Sequence, residues 1–290
     1  MISYNSINQY LGARLSLSYE DAMAASNEEL REMLFTHKVL VFENWNNLLP
    51  RQVTEFSRKF GQEWPARWYA DHREAARIDG LGRAYTDYTD KSYARLFSGI
   101  PWHVDIANEP GKPRYPARIL YCVATPTHFT GLSTDVSSMA AAYNNLSPDE
   151  KTLFDNAYLI YQSWQQPGTY IKELPAVEIH PYTKEKFLRL NAVSQENGWI
   201  RGWYTLNPDG TKKHLDNEVL KKYVKDLGDK YQYVHNWKVG DLIIFDNWAT
   251  MHRKGEGEVF EDSTGVRKFI RISIDTKIDP EFNYGNTDTK

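Results

Sequence analysis

Cysteine is nearly missing from this chain: Cys122 is the only one in 290 residues, so no intramolecular disulfide can form. Its neighbours Leu120, Tyr121 and Val123 are apolar, which predicts a buried thiol, not a nucleophile. Long apolar runs are also absent, and this speaks against a bilayer-spanning helix and a membrane partner. The opening MISYNSINQY lacks the basic and apolar regions of a signal peptide, so a cytoplasmic location is the expectation. No excess of one charge sign exists: 35 Lys and Arg face 38 Asp and Glu, a formal net charge of −3. That balance predicts no nucleic-acid or acidic-polymer partner. Internal repeats and low-complexity linkers are lacking too, which excludes solenoids and supports one domain over 1–290.

What the chain does have is a globular composition, with 41% hydrophobic and 25% charged residues, and many aromatics (9 Trp, 19 Tyr). Such aromatic content fills β-rich cores and lines pockets for organic ligands. Ser26 and Glu29 have capping-box spacing and open a predicted helix to about Phe35. Val39 to Phe42 reads as a buried strand, and the helical spacing of Leu49, Val53, Phe56 and Phe60 implies a helix ended by Gly61. Residues 64–100 show no period and read as a long loop of the kind that forms lids. Strands are expected at Arg118–Ala124, Val177–Ile179, Phe187–Asn191, Asp241–Phe245 and Lys268–Ile274. Helices are expected over Ser137–Ala157, broken at Ser147-Pro148, and from Asn217 to about Leu227. The second half is strand-rich without βαβ alternation, so the fold class is mainly β with peripheral α-helices, a sandwich or barrel.

One spacing carries chemistry. Pro101-Trp102-His103-Val104-Asp105 sets an imidazole and a carboxylate two residues apart, and on a strand both would point the same way. Much later, His252 follows an apolar strand. Two imidazoles and a carboxylate on one face of Fe(II) leave the other positions open for a chelating co-substrate and O2. Isolated His-x-Asp pairs are common on solvated loops, so the surrounding sequence has to decide. The other histidines (His37, His72, His128, His180, His214, His235) lack ligand spacing and read as structural, and Trp102 reads as core.

Several ordered segments point the same way: Thr36 to Phe42, Phe56 to Gly61, His103 to Asp105, Gly131 to Val136 with Ala140 to Tyr143, Ile179 to Thr183 with Leu188 to Asn191, and Trp237 to His252 followed by Arg267 and Arg271. In this order they resemble the TauD/TfdA family of Fe(II)/2-oxoglutarate-dependent dioxygenases, with features similar to carbapenem-synthase-like enzymes. The resemblance implies a double-stranded β-helix (jelly roll) and an enzyme with Fe(II), 2-oxoglutarate and O2 as cofactor and co-substrates. It implies His103, Asp105 and His252 as metal ligands and catalytic centre, with Arg267 and Thr134 holding the distal carboxylate of 2-oxoglutarate. Spacings longer than the family's usual leave Thr130 as a rival to Thr134, and Arg267 and Arg271 could exchange roles. If Arg271 takes the substrate's anionic group, as the matching arginine does in the taurine enzyme, the small-molecule substrate is an acid.

The reaction implied is oxidation of a C–H bond with release of succinate and CO2. Hydroxylation is the default outcome, with desaturation or cyclisation as relatives of the same first step. Trp68, Tyr69, Phe97 and Trp203 are further candidates for substrate contact. A zinc hydrolase using the same ligands, or a non-catalytic binding protein of the same fold, are the alternatives. Homo-oligomerisation is compatible with the resemblance.

Overall fold

A computed structural model of the chain describes residues 2–63, 75–78, 83–87, 100–105, 116–162, 171–194, 199–260, 262–264 and 267–275. Its architecture follows from period-2 alternation in a few short strands. Val39–Phe42 runs parallel to Ala13–Leu15 on one side and antiparallel to Leu242–Asp246 on the other. The sheet continues through Ala117–Ala124 and Lys268–Asp275 to Arg83–Asp87 and Ala75–Ile78, within a nine-stranded sheet. A four-stranded sheet has the order Gln232–His235, Thr134–Ser138, Thr250–Lys254, Ile100–His103.

Alternate residues of the larger sheet serve two different cores. Val39, Val41, Cys122, Ile243, Phe245 and Phe269 cluster with Val136 and Tyr233 of the smaller sheet and with Trp237 just beyond it. Their strand neighbours Leu40, Phe42, Ile119, Tyr121, Ile244 and Ile272 join Leu30, Leu34, Val53 and Phe56 from the helices. One face of the large sheet is therefore closed by the second sheet and the other by helices, which is the jelly roll expected. Phe42 and Phe56 are fully buried, and each such side chain contributes roughly 2–3 kcal/mol from apolar burial. A third sheet, with Ala157–Tyr161 and Ile200–Leu206 at its centre, packs beside this body.

The helices start where capping chemistry allows. Ser26 accepts from the Glu29 amide at 3.2 Å to open Asn27–His37. The Glu29 carboxylate, expected to complete the box, instead accepts from the Ile2 amide at 2.6 Å and ties down the N-terminal segment. Ser147 and Glu150 do form a full capping box for Pro148–Asp155, the break foreseen at Ser147-Pro148. Ser137, expected to be helical, belongs to the strand Thr134–Ser138. The expected loop at 64–100 contains two strands, Ala75–Ile78 and Arg83–Asp87, the latter paired with Lys268–Asp275. Pairing between segments so distant in sequence supplies hydrogen bonds that no local period announces.

Candidate active site

The two imidazoles meet because the strands that carry them pair. Thr250–Lys254 lies antiparallel to Ile100–His103 with His252 opposite His103, and the ring centroids are 4.2 Å apart. Asp105 arrives differently from the strand alternation expected: the strand ends at His103, and Asp105 lies in the following turn. Two buried asparagines fix that turn. Asn191 accepts from the Val104 amide and donates to the Val104 carbonyl, both at 3.3 Å, while Asn247 donates to the Asp105 carbonyl at 3.1 Å. The ligand atoms of His103, Asp105 and His252 then lie within 4.8 Å of one another.

His103 and Asp105 are held in forms that suit a metal ion. The Nδ1 of His103 is 2.8 Å from the Pro101 carbonyl, so it carries the proton and the Nε2 lone pair faces Asp105. Burial, followed by the neighbouring His252, pushes His103 down to about 3, which keeps the ring neutral. Burial alone would raise the Asp105 carboxyl, but Arg118 and the two histidines outweigh it and hold it well below the usual carboxylate range. The Arg118 guanidinium, 1% exposed, donates directly to Asp105 Oδ2. Trp199 stacks on His103 at 5.3 Å, and Phe245 tilts against His252 at 4.8 Å. Two imidazoles and one anionic carboxylate converging from one side fit a divalent iron with open positions opposite.

Behind the ligands the residues next to them in sequence lock together. Arg253 donates to Asp135 and Asp229, both at 2.7 Å, and its guanidinium lies 4.4 Å from the Trp102 ring centroid. Trp102 in turn donates to Asp229 at 3.1 Å. The expectation that Trp102 faces away from the ligands as core agrees with its 3% exposure.

In front of the ligands is a cavity of about 120 Å³ lined by His103, Asp105, Arg118, Leu120, Thr134, Phe245, His252, Lys254, Arg267 and Arg271, among others. Thr134 and both expected arginines therefore share the cavity with the ligands. Thr134 accepts from Trp237 Nε1 at 3.0 Å, leaving its own hydroxyl proton to donate. Arg267 donates to the Leu132 carbonyl at 3.1 Å and lies 4.4 Å over the Phe269 ring. The rival Thr130 is exposed on a short strand paired with Gly257–Val259, outside that lining.

Trp203 does not join this cavity. It is 1% exposed in the strand Ile200–Leu206, packs near Phe154 and donates to the Asp216 carbonyl at 2.9 Å. Trp68, Tyr69 and Phe97 lie outside the described residues. Arg118, Asn191 and Asn247 support this cluster and were missed or left as background by sequence reasoning, whereas Trp199, weighed with Trp203 for substrate contact, stacks on His103. A charged residue inside the apolar strand Ala117–Ala124 was the available signal for Arg118. Of the other histidines, His180 lies 3.0 Å from Asp246 and His235 lies 2.7 Å from the Tyr233 hydroxyl, both structural pairings.

A jelly roll carrying this His/Asp/His cluster beside a cation-lined cavity defines a mononuclear non-haem oxygenase centre. The family model for taurine catabolism dioxygenase TauD, TfdA family, matches residues 3–271. The chain belongs to that family and is an Fe(II)/2-oxoglutarate-dependent dioxygenase. It is 24% identical over 232 residues to the tyrosine isonitrile desaturase of Erwinia amylovora (strain CFBP1430), covering 77% of this chain and 73% of that one. It is 25% identical over 262 residues to the alpha-ketoglutarate-dependent sulfate ester dioxygenase of Pseudomonas putida, covering 83% and 78%. A crystal structure of a taurine dioxygenase from Burkholderia xenovorans superposes with a TM-score of 0.70 at 20% identity, covering 94% of this chain and 89% of that one. AAD-2 in complex with Mn(II) and N-oxalylglycine gives 0.66 at 18% identity, covering 94% and 97%. Among the described residues no helix is long and apolar enough to cross a membrane.

Proposed function

We propose that His103, Asp105 and His252 hold the Fe(II), that Thr134 and Arg267 bind the distal carboxylate of 2-oxoglutarate, and that Arg271 receives the anionic group of a small organic acid. The observation that carries this reading is the joint lining of one cavity by the three ligands, Thr134 and both arginines. When bound, Fe(II) and 2-oxoglutarate supply the O2-dependent chemistry that oxidises a substrate C–H bond and releases succinate and CO2. The protein's share is positioning. Asn191 and Asn247 fix the turn that presents Asp105, and Arg118 holds its carboxylate in one orientation. Thr134 offers a hydroxyl donor and Arg267 a guanidinium fork, a geometry suited to a carboxylate. Leu120, Phe245 and Phe269 give the cavity an apolar lining that excludes water.

Arg271 lies on the same strand face as Phe269, within the lining. The relatives named for a sulfate ester and for 2,4-dichlorophenoxyacetate carry anionic groups in those names, which supports an acidic substrate here. Hydroxylation is the default outcome, and similarity to a tyrosine isonitrile desaturase favours desaturation as the second reading. The test is succinate release across matched pairs of organic acids and their neutral amides, in wild type and Arg271→Leu. Turnover should be confined to acids, with the variant raising the KM for the acid more than that for 2-oxoglutarate. Equal turnover of acid and amide would remove Arg271 from substrate recognition.

A further inference from the structure

The cavity is more cationic than one co-substrate arginine and one substrate arginine require. Among the described residues its lining includes Arg118, Arg253, Lys254, Arg267 and Arg271 and one acid, Asp105. Arg118 is engaged with Asp105, and Arg253 with Asp135 and Asp229. Lys254 is a further cation of this lining, and its place there is fixed by the strand that carries His252.

Its position is set by the backbone. Lys254 follows His252 by two residues on the strand Thr250–Lys254, so both side chains leave the same face. In the antiparallel pairing with Thr134–Ser138, Lys254 lies directly opposite Thr134, as His252 lies opposite Val136. Residues directly opposite share a face, with Cβ atoms roughly 4.5–5.5 Å apart. Lys254 and Thr134 therefore face the cavity side by side, the next same-face pair along the ladder from His252 and Val136.

The chain just beyond is packed too tightly to shift. The Gly255 amide donates to the Ser133 carbonyl at 3.1 Å, and the Leu132 amide to the Glu256 carbonyl at 3.2 Å. A Cβ on Gly255 would come 2.1 Å from Ser133 Oγ, and one on Gly257 2.2 Å from the Thr130 carbonyl oxygen. Arg267 reaches the same end, because its Nη2 donates to the Leu132 carbonyl, two residues before Thr134. Lys254 is half-buried there and feels the Arg267 charge. A carboxylate entering the cavity beside Thr134 would be attracted by both cations of the lining, Lys254 and Arg267.

From this we infer that Lys254 is a second cation for the distal carboxylate of 2-oxoglutarate, closing on it from the Thr134 side while Arg267 forks it from the other. The inference rests on the assignment of that carboxylate to Thr134 and Arg267. Lys254 would act as a specificity residue: it rewards a keto acid that ends in a carboxylate and does nothing for one that does not.

Anaerobic titration of the Fe(II)-loaded protein, followed by the weak visible charge-transfer band of a chelated 2-keto acid, tests it. The ligands are 2-oxoglutarate and 2-oxopentanoate, which has the same chain length without the distal carboxylate. In Lys254→Met the Kd for 2-oxoglutarate should rise roughly 10- to 100-fold, the range expected on losing a charged hydrogen bond. The Kd for 2-oxopentanoate should stay unchanged, and Lys254→Arg should remain near wild type. Equal weakening of both keto acids would show a structural role, and an unchanged 2-oxoglutarate Kd would show no role; either overturns the inference. If wild type gives the band with both acids but no preference for 2-oxoglutarate, the distal-carboxylate assignment itself fails and Lys254 falls with it.

Discussion

Replacing Arg118 by Met isolates what the buried cation does for the metal ligand beside it. Arg118 is 1% exposed, and the Asp105 side chain it serves is 19% exposed. Removing one member of a fully buried ion pair costs about 3–5 kcal/mol, because the remaining charge is left without compensation. Some water reaches Asp105, so the expected loss is nearer about 2–3 kcal/mol. Methionine keeps much of the apolar stem, which limits any cavity contribution. At roughly 2 °C per kcal/mol for a chain of this size, metal-free Arg118→Met should melt about 4–6 °C below wild type. A bound divalent ion gives Asp105 another cation, so the gap should shrink by at least about half at saturating Mn(II). Thermal unfolding with and without Mn(II) measures both quantities. Equal melting of the two metal-free proteins, or a gap that survives saturation, would refute this account of Arg118.

Two further perturbations probe the frame around the ligands. Gly228→Ala would ordinarily stabilise a helix by about 0.5–1 kcal/mol, but here the new Cβ would lie 2.5 Å from Trp102 Nε1 and displace a ring adjacent to His103. The expected result is a net loss of about 1–2 kcal/mol and several-fold weaker Mn(II) binding; improved stability with unchanged metal affinity would contradict it. Asp246 tests pH dependence: burial alone would raise its carboxyl, but His180 and Lys38 outweigh burial and lower it. The unfolded chain then takes up the proton first as pH falls. The Asp246 contribution is complete above the ordinary carboxylate range and fades below about pH 4. Asp246→Asn should flatten the acid side of the stability curve measured by urea unfolding from pH 6 to 3, and an unchanged slope would contradict this.

The parts legible in the sequence were those with a local period or a local motif. Val39–Phe42 alternates between two cores and was readable as a buried strand, and Ser147-Pro148 announced its helix. His103, Asp105 and His252 were readable because an ordered series of segments surrounds them. Trp203, expected as a substrate contact, is instead buried by its strand, a placement that depends on tertiary packing. Strands at 75–78 and 83–87 depend on a partner far along the chain. Arg118 and Asn191 act on Asp105 and its turn only through tertiary contact, so nothing in their immediate sequence assigned them.

The measurement closest to the central claim is an anaerobic titration of Fe(II) and 2-oxoglutarate into wild type, His103→Ala and His252→Ala, watched for the visible charge-transfer band. The account predicts a saturable band in wild type that neither histidine variant shows. Iron binding to wild type without the band, or a band retained in both variants, would contradict it.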